Sequence, residues 1–174
     1  MSISKSSNEA VLPEQLVDCV KASIASVFEK SFGDIPSFQR EDDETEKIGD
    51  GVMGIISYNG DFTWIMMMSF PKDCAISLFA RFAGFELDYD SPDMGDVVGE
   101  MANILAGNIV GCLQEKGVKC AMSLPTLIRG FNVEPMPPRD LPSRKLTVTM
   151  PEGVVIIKVV GGKPGMTYGQ VPGA

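Results

Sequence analysis

The sequence predicts an α+β domain in which long helices pack on an antiparallel sheet. Two long segments carry apolar residues at helical spacing, and two pairs of short apolar segments are each joined by a turn signal. The order is helix, strand pair, short helix, then long helix, short strand and strand pair. Because the second half weakly repeats the first, we expect a pseudo-symmetric domain whose strands meet in one shared sheet.

The first half contains a long helix, a loop, a strand pair and a short helix. The helix is predicted over 12–33, with Pro13 in its first turn and a glycine at its end. Residues 34–47, which include the acidic run EDDETE, read as a loop. Strands are predicted over 51–58 and 62–69, followed by a helix over 71–84.

The second half is dominated by a long helix from Pro92 to about Lys116. Ser91 is a suitable N-cap, and Gly117 is a suitable stop. A short strand over 118–124, a proline-rich irregular segment over 131–143, and strands over 145–150 and 154–160 complete the prediction. Residues 12–160 therefore read as one domain between a flexible N-terminus, 1–11, and a flexible tail, 161–174.

Composition excludes several classes of function. The net charge of −8 disfavours binding to nucleic acid or to an anionic membrane surface. No apolar run approaches the length of a membrane span, and the N-terminus has no signal-peptide pattern, so we expect a cytoplasmic protein. The sequence has no histidine, which removes the usual nucleophilic triads and mixed zinc sites. Its four cysteines, Cys19, Cys74, Cys112 and Cys120, are expected to be buried and reduced.

One face of the long helix is unusual for a surface. Asp96, Glu100, Asn103 and Gly107 lie one above the next, with Gly99 beside them, and the helix carries no basic residue before its end. A glycine inside a helix costs about 1 kcal/mol relative to alanine. Either these small residues admit a docking partner, or the glycines pack against loops of the same chain. The sequence leaves both interpretations open.

The pattern Asp96-x-x-x-Glu100-x-x-Asn103-x-x-x-Gly107 resembles the signature helix of the CheC/CheX/FliY phosphatases of bacterial chemotaxis. The segment SLPTLIRG, 123–130, resembles the one that follows this helix in CheX-type proteins. The first long helix has no Glu-x-x-Asn, which favours the single-site CheX type over relatives that carry the motif twice.

The resemblance implies a phosphatase that accelerates dephosphorylation of a phospho-aspartyl, CheY-like response regulator. Asn103 would orient the attacking water, and Glu100 would pair with a lysine of the receiver domain. Asp96, Gly99 and Gly107 would contact that partner. The chain would need no cofactor of its own, because Mg²⁺ belongs to the receiver's site. The resemblance also implies a homodimer.

Two other functions remain open at this point. A protein of this fold can hold a receiver without hydrolysing its phosphate, as an adaptor or a flagellar-switch-type module. Alternatively, a homodimeric scaffold can sense a small ligand between its halves.

Overall fold

The computed structural model describes residues 12–40, 48–133 and 141–161. Within them lie three helices, α1 (Glu14–Phe32), α2 (Lys72–Ala83) and α3 (Pro92–Glu115). The strands are β1 (Ser37–Arg40), β2 (Ile48–Gly60), β3 (Trp64–Pro71), β4 (Cys120–Met122), β5 (Thr126–Val133), β6 (Ser143–Met150) and β7 (Gly153–Gly161). The predicted α+β class is confirmed.

All strand pairs of the sheet are antiparallel, and the strand order is β1-β6-β7-β3-β2, with β4 and β5 both on the free side of β2. The two hairpins, β2–β3 and β6–β7, meet side by side through β3 and β7. Each half also contributes a strand to the other: β1 of the first half pairs with β6, and β5 of the second half pairs with β2. This exchange confirms the expected pseudo-symmetric domain with one shared sheet.

The helices pack on one face of the sheet and on each other. Side chains of that face that alternate along β2, β3 and β7, such as Ile56, Met66 and Ile157, join α1 and α3 in the main hydrophobic core. The predicted helix ends hold: Gly33 and Gly84 both adopt the left-handed conformation that ends a helix.

Helix α3 corrects the statement that no segment is long and apolar enough to cross a membrane. It is the one helix of the described ranges that meets this test by length and composition. Nine of its residues, however, are buried within the domain. The apolar character of α3 therefore reflects its packing against α1 and the sheet.

Two strands occupy segments that the sequence predicts as irregular. β1 lies in the expected loop 34–47, and β5 reaches into the expected irregular segment 131–143. β1 has only four residues, and every residue of β5 is exposed or half-buried. Neither strand therefore shows the alternation of buried and exposed side chains by which a strand is predicted. Both strands are held by backbone pairing to a hairpin of the other half, which no local pattern reveals.

The boundary predicted between the domain and the tail, at residue 161, is wrong by one residue. Gly161 is the last residue of β7 and donates its N–H to Pro142 O at 2.9 Å. The predictions for 1–11, for the acidic run at 41–46, for 134–140 of the proline-rich segment and for 162–174 lie outside the described residues.

The expectation of four reduced cysteines is wrong for two of them. Cys19 of α1 and Cys112 of α3 form a disulfide, with their Cα atoms 5.7 Å apart. Their separation of 93 residues hides the pairing, since only the packing of α1 against α3 brings them together. Cys74 and Cys120 are free and buried, as expected.

Candidate functional site

The predicted site residues occupy three levels of burial on α3. Asp96, Glu100 and Gly107 are exposed, Asn103 is half-buried, and Gly99 is buried. Spacings of three and four residues place Asp96, Glu100, Asn103 and Gly107 along one side of the helix. The structure thus brings these four together on one side of α3, and it separates Gly99 from the surface.

Asn103 has hydrogen-bonding capacity that the fold does not use. Its Oδ1 is buried, and no donor among the described residues bonds to it. Buried polar atoms are nearly always hydrogen-bonded, because an unsatisfied one costs about 1–3 kcal/mol. This oxygen therefore contributes no hydrogen bond to the described fold, and it is available to a partner.

Glu100 lies on a helix whose charged residues are all acidic. Its exposed carboxylate makes no ion pair within the part of the chain that the structure describes. The charged residues of α3 are all acidic: Asp93, Asp96, Glu100 and Glu115. This side of the helix attracts a cationic group on a partner, with a strength that salt reduces.

Gly99 packs against its own chain and does not admit a docking partner. A Cβ added there would lie 3.5 Å from Leu127 Cδ1 and 3.9 Å from Pro125 Cγ. Both distances are ordinary van der Waals contacts, so an alanine would also fit, but Gly99 is buried beside β5 and the loop before it and offers no surface to a partner. Gly107 differs, because a Cβ there would meet nothing within 4 Å.

Arg129 of β5 fixes the start of α3. Its Nη1 donates to the carbonyl oxygens of Tyr89, at 2.6 Å, and Ser91, at 2.9 Å. Ser91 lies at the N-cap position that the sequence predicts, but its side chain does not cap the helix, because its Oγ donates to Asp88 O. Sequence reasoning missed Arg129, because its role depends on the unpredicted strand β5.

The loop between β4 and β5 borders the same side of α3. Its first residue, Ser123, donates its N–H to Ser57 O at 2.8 Å, and its Oγ accepts from Ser57 N–H at 3.0 Å. Pro125, at the other end, packs on Gly99. Between them, Leu124 is 83% exposed. The loop is thus held by β2 at one end and by α3 at the other.

A cleft of about 420 Å³ lies between α1 and α3, toward the C-terminal end of α3 from Asn103. Ser23 and Ser26 line it from α1, and Gly107 and Cys112 line it from α3. The cleft gives small molecules a route to the disulfide, and it keeps the surface around Gly107 open.

Comparison with known proteins gives a family and a fold. A family model described as chemotaxis phosphatase CheX matches residues 52–148, which is more than half of the 174 residues. No curated protein sequence matches the chain significantly.

Solved structures share the fold at low sequence identity. A CheC-like superfamily protein from Shewanella sp. PV-4 is 18% identical, with a TM-score of 0.77 over 87% of this chain and 100% of that one. The chemotaxis protein CheX from Vibrio vulnificus is 20% identical, with a TM-score of 0.75 over 85% of this chain and 99% of that one.

The CheX of a CheX–CheY–BeF₃–Mg²⁺ complex from Borrelia burgdorferi is 17% identical to this chain. Its TM-score is 0.72, over 85% of this chain and 98% of that one. The family model spans most of the hairpin β2–β3, the whole of α3 and the loop beside Gly99. The chain therefore belongs to the CheX family of chemotaxis phosphatases.

Proposed function

We propose that this chain accelerates the hydrolysis of the aspartyl phosphate of a CheY-like response regulator, with Asn103 orienting the attacking water. The observation that carries the proposal is the state of Asn103. It lies on the acidic side of α3 beside Glu100, in a CheX-family chain, with a carbonyl oxygen that the described fold leaves without a partner. A side chain kept there at a cost in stability is expected to be used in recognition or chemistry.

A carboxamide suits this reaction. An acyl phosphate is already reactive, and the receiver would supply Mg²⁺ and cationic groups for the phosphoryl charge. What hydrolysis still requires is a water in line with the leaving carboxylate oxygen. After a side-chain rotation that exposes the buried Oδ1, Asn103 can accept one hydrogen bond from that water and donate another to it, without removing its proton. Such positioning supplies several kcal/mol of the barrier reduction.

Glu100 would pair with a lysine of the receiver. Because Glu100 is one helical turn before Asn103 and points the same way, this ion pair would bring the carboxamide to the phosphoryl group. Asp96 would add to the attraction, and the open surface at Gly107 would give the receiver clearance. The Borrelia CheX of the same fold is bound to CheY, which supports this class of partner.

We also propose that the chain acts as a homodimer in the cytoplasm, where the accessible Cys19–Cys112 bond would be subject to reduction. The strand β5 pairs with β2 on one side only, among the described strands. The other edge of β5 is free among the described strands, and Phe131 of β5 is 74% exposed. A second copy can pair with such an edge.

Phosphate decay tests the proposed function. Each receiver domain of the host is phosphorylated, and its decay is followed with wild-type protein, with Asn103→Ala, and without addition. We expect the wild type to accelerate the decay of at least one receiver, and Asn103→Ala to restore its intrinsic rate. Normal acceleration by Asn103→Ala would remove the assigned role. Tight binding of phosphorylated receivers without any acceleration would identify an adaptor instead.

A further inference from the structure

We infer that Leu124 is the apolar contact by which this site holds its receiver, so that Leu124 sets affinity and not the rate of the chemical step. The inference rests on the proposed function. It concerns the loop between β4 and β5, residues 123–125, which borders the side of α3 that carries Glu100 and Asn103.

The loop lies within one helical turn of Asn103. Pro125 packs on Gly99, which precedes Asn103 by four residues and therefore lies directly below it on the helix. Side chains of an α-helix lean toward its N-terminus, so the side chain of Asn103 leans over Gly99. The carboxamide and Pro125 thus occupy neighbouring space, with Leu124 next in the chain.

The loop presents Leu124 in a fixed position. Ser123 exchanges hydrogen bonds with both backbone groups of Ser57, and its Oγ also donates to Leu124 O at 2.8 Å. Pro125 restricts the backbone on the other side. Leu124 is 83% exposed, and Met122 before it is 36% exposed. Because the backbone that carries Leu124 is already fixed, little further backbone freedom is lost when a partner covers the side chain.

The size of a protein interface decides what covers Leu124. A specific complex buries about 800 Å² on each partner, which corresponds to a patch of about 16 Å radius. A receiver that brings its phosphorylated side chain to Asn103 must therefore cover a loop one helical turn away. Interfaces typically combine such an apolar anchor with a polar rim, which Glu100 and Asp96 would supply here.

Ile35 provides a matched control. It is another aliphatic side chain in a loop, and it is 74% exposed. It precedes β1, which is the strand at the opposite edge of the sheet from β5. Substitution of Ile35 therefore removes a similar exposed side chain far from the proposed contact.

The test compares Leu124→Ser, Leu124→Met and Ile35→Ser with the wild type in the full chain. The substrate is the phosphorylated receiver that the wild type dephosphorylates fastest, and its concentration is varied to separate KM from kcat. We expect Leu124→Ser to raise KM about tenfold or more, with kcat within about twofold, because the buried area of one leucine is lost. Leu124→Met and Ile35→Ser should keep the wild-type KM.

Three results would overturn the inference. An unchanged KM for Leu124→Ser would remove Leu124 from the interface while leaving the proposed function intact. An equal rise in KM for Ile35→Ser would show that the effect is not local. If the wild type accelerates no receiver at all, the proposed function fails and the inference fails with it. Thermal unfolding of each variant checks that the exposed substitutions leave the fold unchanged.

Discussion

At the scale of single residues, Asn103 is where the stability of the fold and the proposed chemistry make opposite demands. The carbonyl oxygen is buried without a partner in the described structure, and an atom in that state is expected to lower the stability of the folded state. An alanine would remove that buried polar atom. Trade-offs of this kind are common at sites that a protein keeps for its function.

Asn103→Ala is therefore expected to lose activity without losing stability. The free energy of unfolding should stay within about 1 kcal/mol of the wild type or rise, because the lost contacts are offset by removal of the unsatisfied oxygen. Urea unfolding measures it. A loss of stability of several kcal/mol would mean that Asn103 is structural, and that its effect on catalysis is indirect.

Glu100→Lys tests the proposed ion pair. The substitution should weaken association with the phosphorylated receiver at least about tenfold at low salt, since an attraction becomes a repulsion. Glu115→Lys is the matched control, because it makes the same charge change on an exposed residue at the other end of α3. Binding measured by titration at two salt concentrations separates the two variants. Equal weakening by both would indicate net charge alone.

The two glycines of the site should respond differently to substitution. Gly107→Ala is expected to raise the free energy of unfolding by about 0.5–1 kcal/mol, since alanine favours the helix and the added methyl group meets nothing. Gly99→Leu is expected to lower it by about 1–3 kcal/mol, because the larger side chain has to displace Leu127 and Pro125. Urea unfolding of both variants measures the difference. A destabilised Gly107→Ala would contradict an open surface there.

At the scale of elements, the disulfide joins the helix that carries the site to the helix beside it. Cys19 and Cys112 close a loop of 93 residues. In the chain-entropy model a loop of about this length contributes about 4–5 kcal/mol to stability, by restricting the unfolded chain. The cleft beside Cys112 makes the bond accessible to a small reductant.

A reductant is expected to lower the thermal midpoint of the wild type but not that of the double variant Cys19→Ser/Cys112→Ser.

Thiol labelling at pH 8 checks the bond directly. Burial, with a smaller contribution from Glu152, raises the pKa of the Cys74 thiol to about 11. Burial also raises the pKa of the Cys120 thiol. Neither thiol should therefore react in the folded protein. Two thiols should react on unfolding and four after reduction. Four without reduction would contradict the disulfide.

The elements that the sequence predicts are those whose signals are local. Pro13, Gly33 and Gly84 mark helix ends through their own backbone preferences, and the structure agrees. The grouping of Glu100 with Asn103 follows from helical periodicity alone. Strand β5 was not predicted, because its side chains are mostly exposed and its pairing with β2 is long-range. The burial of Gly99 and the position of Leu124 depend on β5, so they were not predictable either.

At the scale of the whole molecule, the proposed homodimer depends on the free edge of β5. Phe131→Glu should shift the mass measured by light scattering from two chains toward one, because it places a charge on an exposed apolar edge. Ile35→Ser at the opposite edge of the sheet should leave the mass unchanged. A wild type that is monomeric at micromolar concentration would contradict the proposal.

The exchange of strands between the two halves has a consequence for biosynthesis. β1 can pair only after β6 has been made, since Ser37 aligns with Thr149. A nascent chain on the ribosome thus carries α1, the unpaired strand β1 and the hairpin β2–β3 before the strands β6 and β7 have been made. Native contacts between such distant segments form slowly and leave apolar surface uncovered in the meantime. The sheet can therefore be completed only after β6 and β7 have been made, and chaperones have time to act before then.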